Sequence, residues 1–134
     1  MRRRYFAILF LIGMITMGHE GNASPLDEFH WQKRVLVVVA PPGDVAAAAQ
    51  RQIFEASAEG MSERAIVLLE ARDDSERSRQ LRARLSADSR RFQVFLVGKD
   101  GHTAVSSLRP LSAAELFARV DAMPMRRDEM RRGR

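Results

Sequence analysis

No cysteine occurs anywhere in the 134 residues. That removes disulfide staples, thiolate nucleophiles and zinc–thiolate sites together. Disulfide exchange and peroxide reduction by a thiol need the sulfur itself, so both are excluded. Histidine is scarce: His19, His30 and His102 lie far apart, with no partner at i+3 or i+4 for a helical metal site. Neither a bound metal nor a cofactor is expected. Aromatic residues make up 7% of the chain, with one tryptophan, which leaves little for stacking nucleic-acid bases. No Gly-x-Ser-x-Gly elbow is present, and the serines fall where caps and turns are expected. No apolar run reaches the roughly 20 residues of a membrane-spanning helix.

The longest apolar run is YFAILFLIGMITM at 5–17, preceded by Arg2, Arg3 and Arg4 and followed by GHEGNAS. A basic start, a short apolar stretch and small residues Gly21 and Ala23 at the −3 and −1 places read as a signal peptide over 1–23, cleaved before Ser24. A periplasmic or secreted protein of 111 residues (134 less 23) is expected, with no stable membrane insertion after cleavage. That length suits one domain with its own core. Without Arg2, Arg3, Arg4 and Glu20, 19 basic and 16 acidic residues remain, a net charge of +3. The same excess sits in RRDEMRRGR at 126–134, five arginines against two acids, so the body of the domain is neutral.

Within that body, Val35–Ala40 is apolar on both faces, as a central strand covered by helices would be. Pro41, Pro42 and Gly43 end it, and Asp44 is a cap for a helix whose Val45, Ala49, Ile53 and Ala56 recur on one face, with Gly60 closing it. A second strand is expected over 65–70, a charged surface helix over 75–86 and a third strand over 92–98. The turn Asp100-Gly101 leads to an edge strand over 102–108. Ser112 with Glu115 forms a capping box for a last helix ending near Met123-Pro124. The order is β-α-β-α-β-β-α, an α/β fold. Strands joined through helices are expected to run parallel, and the hairpin adds an antiparallel one. A mixed sheet with helices on both faces is the thioredoxin-like arrangement. The expected domains are the signal peptide 1–23, the thioredoxin-like domain 24–124 and a basic C-terminal tail 125–134.

Three stretches carry a family resemblance: FHWQKRVLVVVAP at 29–41, FLVGKDG at 95–101 and LFARVDAMPMRRDEM at 116–130. Through them the chain resembles the bacterial exported family of domain of unknown function 4174, to which domains of vertebrate sushi-repeat extracellular proteins are related. The resemblance implies a thioredoxin-like fold and an extracytoplasmic home, and carries no catalytic role. Where thioredoxins place Cys-x-x-Cys, this chain reads PPGD at 41–44. Before the third strand it has Asp88-Ser89-Arg90-Arg91, with no proline to serve as their cis-proline.

Candidate chemistry is correspondingly thin. VGKDG has a strand on both sides, so Lys99-Asp100-Gly101 reads as a hairpin turn and not a phosphate loop. Asp73-Asp74 reads as a solvated helix start. Trp31 with Phe29 is either a cover over the first strand's start or an exposed aromatic platform beside Arg34. The C-terminal DAMPMRRDEMRR is either a self-paired end (Asp128–Arg131, Asp128–Arg132, Glu129–Arg132) or an anion or partner site built on Arg126, Arg127 and Glu129. Strand ends are where open α/β sheets bind ligands, which adds Asp44 at the head of the first helix. The expectation is a non-catalytic binding or adaptor module, its partner an unidentified envelope protein or an anionic ligand and not nucleic acid. The alternatives are an enzyme using carboxylates such as Asp44, Glu70 or Asp73, and a protein that binds anionic surfaces through its C-terminal arginines.

Overall fold

Six consecutive apolar or aliphatic-stemmed residues set the centre of the molecule, because each has a covered face waiting for it. In a computed structural model, which describes residues 23–133, β1 (Arg34–Val39) is buried along its whole length. Alternate residues feed two cores. Leu36 and Val38 point into one with Ala47, Met61, Val94, Leu96, Leu116 and Val120, while Val35, Val37 and Val39 join Leu26, Leu81, Phe95 and Val97 on the other face. The signal peptide read over 1–23 lies, but for Ala23, outside the described residues. Among the described residues no helix is long and apolar enough to cross a membrane.

After β1 come α1 (Val45–Ala56), α2 (Ala58–Glu63), β2 (Ile66–Ala71), α3 (Glu76–Leu85), β3 (Gln93–Val97), β4 (Thr103–Ser107), α4 (Ala113–Asp121) and α5 (Pro124–Arg132). This is a single α/β domain with the expected strands, the first connecting helix divided into α1 and α2 and a further helix, α5, at the end. The sheet order is β2-β1-β3-β4. β2 runs parallel to β1, whereas β3 is antiparallel to both β1 and β4. That corrects the expectation that strands joined through helices all run parallel. Ala71 and Gln93, the two ends of the α3 connection, both pair with Val39, so the chain leaves and re-enters the sheet at one end. Ten helical residues carry it about 15 Å, and the irregular stretch 86–92, which starts at a left-handed Ser86, is long enough to bring it back.

Local signals hold where they are strongest. Asp44, Ser75 and Ser112 cap α1, α3 and α4, the last with the full capping box to Glu115, and Pro124 stands at the first turn of α5. Two readings of the first helix do not survive. Its inward face is Ala47 and Gln50 with Ala46 and Phe54 beside them, while Val45 is 82% exposed. Gly60 does not end the helix; it lies within α2, where a Cβ would come 2.6 Å from Cζ of Phe117. Close packing of α4 over α2 is what requires glycine there. Gln50 is fully buried because it clamps the entry to α4: its Nε2 donates to the Leu111 carbonyl at 3.0 Å and its Oε1 accepts from the Leu111 N–H at 2.8 Å.

Candidate functional site

At the carboxyl end of β1, the turn Pro41–Asp44 is filled by the chain's own bonds. Gly43 takes φ 75°, and Asp44 Oδ1 accepts the Ala47 N–H at 2.9 Å, satisfying one of the open donors of α1. Asp73 accepts from the Ser75 N–H and the Ser78 hydroxyl. These bonds, those from Ser75 first, hold its carboxyl down to about 2. Glu70 is gripped by Arg51 through bonds of 2.7 to 3.2 Å. The three acids are therefore each engaged in a separate local structure. A cavity of about 220 Å³ does lie here, lined by Pro42, Arg72, Asp73, Asp74 and Arg82, and of the three only Asp73 reaches it.

The opposite end of the sheet holds the denser chemistry. The antiparallel pairing of β1 and β3 sets Val35 against Val97, so the start of β1 lies beside the turn that follows β3. Arg34 begins β1 and is 1% exposed. Its guanidinium meets Glu129 of α5 with two bonds of 3.2 Å and donates to the Arg64 carbonyl at 2.8 Å. Lys99, from the β3–β4 turn, reaches the same Glu129 carboxylate at 2.5 Å. Burial pushes the Glu129 carboxyl up, but the hydrogen bonds and charges of Lys99 and Arg34 outweigh it and hold the group below its usual range.

The network continues through α5. Arg126, 5% exposed, bonds Asp121 at 3.2 Å and Glu63 at 3.1 Å, and lies 3.9 Å from Glu129. Arg64 binds Asp121 with two bonds of 3.0 Å, which hold that carboxyl below its usual range, and stacks over Phe117 at 4.0 Å. Four cations (Arg34, Arg64, Lys99, Arg126) thus share three carboxylates (Glu63, Asp121, Glu129). Beside them opens a cavity of about 210 Å³, with Met123, Pro124, Met125 and Ala104 as its apolar wall and Arg34, Lys99, Asp100 and His102 as its polar one.

The sequence candidates fall unevenly on this map. Arg34, Arg126 and Glu129 come together in one network, with Trp31 tied to its edge by a 2.7 Å bond from its N–H to the Lys99 carbonyl. Trp31 is 60% exposed at φ 64° and stacks on His30, so it does not cover the strand. Asp44 sits alone at the far end. Arg127 is exposed and has no carboxylate partner among the described residues, so the Arg126-Arg127 pair divides into one buried and one free cation. The residues 125–132, expected as part of a tail, form most of a docked helix. Asp128 does pair with Arg131, but Glu129 turns inward to Arg34 and Lys99, not to Arg132. Lys99, Asp121 and Arg64 were missed, since Lys99 meets Glu129 across 30 residues of chain and Arg64 meets Asp121 across 57; the Lys-Asp-Gly turn gave the position of Lys99 and nothing of its contacts.

The three stretches that carry the resemblance meet at this network. A family model described as Domain of unknown function (DUF4174) matches residues 25–129. No curated protein matches the chain.

Proposed function

This chain belongs to the DUF4174 family, and within it we propose a non-catalytic, thioredoxin-like binding module of the cell envelope, exported by its first 23 residues. Its working surface is the end of the sheet where β1 begins, β3 turns and α5 docks. The observation that carries this reading is the methionine-walled cavity of about 210 Å³ beside an exposed tryptophan held at a positive φ. Left-handed backbone is unfavourable for a bulky residue, and such strain gathers at recognition sites. Methionine supplies a deformable apolar wall suited to a partner's side chain. The thioredoxin-like assignment is supported by the β-α-α-β-α-β-β-α-α order and the β2-β1-β3-β4 sheet.

The test is capture from the envelope fraction with the wild-type protein, Trp31→Ala and Met125→Asp. A partner recovered by the wild type and lost with both variants, their folds intact by circular dichroism, supports the reading. Recovery undiminished in both overturns this surface. A second reading, contact with anionic surfaces through the C-terminal arginines, is favoured by Arg127 alone among the proposed pair, because Arg126 is buried. Arg127→Glu would then lower vesicle binding while leaving partner capture unchanged.

A further inference from the structure

The cavity beside α5 has a polar end as well as an apolar one, and we infer that it takes a carboxylate carried on a short apolar chain. The head lies at the first turn of α5, and the apolar body lies against Met123, Pro124 and Met125. This names the ligand class of the surface proposed above and rests on that reading.

Three observations converge on the head group. First, α5 opens without a cap: Met123 offers no side-chain oxygen, the first turn holds no acid, and the first N–H with a helical acceptor is that of Arg127, to the Met123 carbonyl at 3.1 Å. The N–H groups of Met125 and Arg126 precede it and face the positive end of the helix dipole, where an anion is favoured. Second, Arg34 forms part of the same cavity wall, is 1% exposed, and has an Nε–H without an acceptor among the described residues. That Nε–H has almost no accessible surface, so Arg34 acts on the cavity through its little-screened charge and not through this donor. Third, Lys99 gives one of its three N–H bonds to Glu129, and the network it belongs to carries one positive charge more than its carboxylates. Asp100, on the rim, is turned onto the His102 N–H at 3.0 Å.

The apolar wall selects among anions. Phosphate or sulfate would leave Met123, Pro124 and Met125 uncovered, and an uncharged alkyl group would leave the donors unmet. A carboxylate with a short alkyl body satisfies both ends. The chemistry is shared by a free organic acid and by the carboxyl terminus of a peptide with an apolar last residue.

Hexanoate, its neutral analogue hexanamide and N-acetyl-leucine discriminate these cases in amide NMR titrations of the protein. Hexanoate is expected to shift the Lys99, Met125 and Arg126 amides and to bind about tenfold tighter than hexanamide. Lys99→Met is expected to erase that preference, and Met125→Trp, which fills the cavity, to abolish binding of all three. Tighter binding of N-acetyl-leucine than of hexanoate assigns the head group to a chain end, and the reverse to a free acid. Equal binding of hexanoate and hexanamide, no binding, or shifts confined to another face overturns the carboxylate class. If that happens while Trp31→Ala and Met125→Asp still remove envelope capture, the binding-module reading stands without it; if capture is also indifferent to both variants, both fall.

Discussion

Glu129 is a residue whose loss the fold should feel strongly. Among the described residues it is the sole carboxylate paired with Arg34 and with Lys99. Removing one member of a buried ion pair costs about 3–5 kcal/mol, because the remaining charge stays desolvated. Glu129 keeps 26% of its side chain exposed and Arg34 retains its bond to the Arg64 carbonyl, so the lower end applies, about 3 kcal/mol. For a domain of this size that is about 12–15 °C in Tm. Thermal and urea unfolding of Glu129→Ala against the wild type measures it.

Replacing both ends of the deeper pair, with Arg34→Met and Glu129→Leu together, should cost less than Glu129→Ala alone, since the fully buried Arg34 charge is then no longer stranded and only the less buried Lys99 loses its partner. The pH dependence has a definite sign. The folded carboxyl of Glu129 lies below its usual value of 4.5, so its contribution is present above that value and fades as pH falls through the folded pKa. The stability gap between wild type and Glu129→Ala should therefore narrow only below about pH 4.5. A cost for Glu129→Ala under about 1 kcal/mol, or a gap that narrows at neutral pH, would refute the reasoning.

Other substitutions probe separate parts of the argument. Gln50→Leu strands the Leu111 N–H and carbonyl in the core, and chemical denaturation should show a loss of about 2–4 kcal/mol. Gly60→Ala drives a methyl group into the Phe117 ring and should cost about 1–3 kcal/mol, partly restored by Phe117→Leu. Arg126→Ala should destabilise by about 2–3 kcal/mol, whereas Arg127→Ala should stay within about 0.5 kcal/mol of wild type. Equal effects at the two positions would contradict the division of the pair into buried and free cations.

What the sequence makes legible is bounded by how far each interaction reaches. Asp44, Ser75 and Ser112 bond N–H groups three residues on, and Asp100-Gly101 turns the chain within the hairpin itself, so residue types in a short window suffice to find them. The helical phase of α1 is harder. With alanines at four successive positions, a 3.6-residue stripe can be drawn through Val45 or through Ala47 with little to choose between them. Tertiary packing chose Ala47, small enough to lie against β1. The direction of β3 depends on where the 86–92 stretch returns, which no local pattern records. The Arg34–Glu129 pair spans 95 positions and the Gln50–Leu111 pair 61, and composition offers no hint that these arginines and acids meet.

The antiparallel direction of β3 also explains why the proposed site lies at the amino end of β1 and not beyond its carboxyl end. Ligands favour the carboxyl ends of strands in open α/β sheets because helix N-termini gather there and offer free N–H groups. Here α1 starts at that end with Asp44 already occupying one of those donors. The antiparallel β3 delivers Lys99 to the other end of the sheet, and α5 begins there uncapped, its N-terminal residues sharing one cavity with Lys99 and Arg34. The physical cause behind the rule is therefore present at the amino end of β1, carried by α5. A ligand that follows free backbone donors and unbalanced positive charge goes to that end and away from the proline turn.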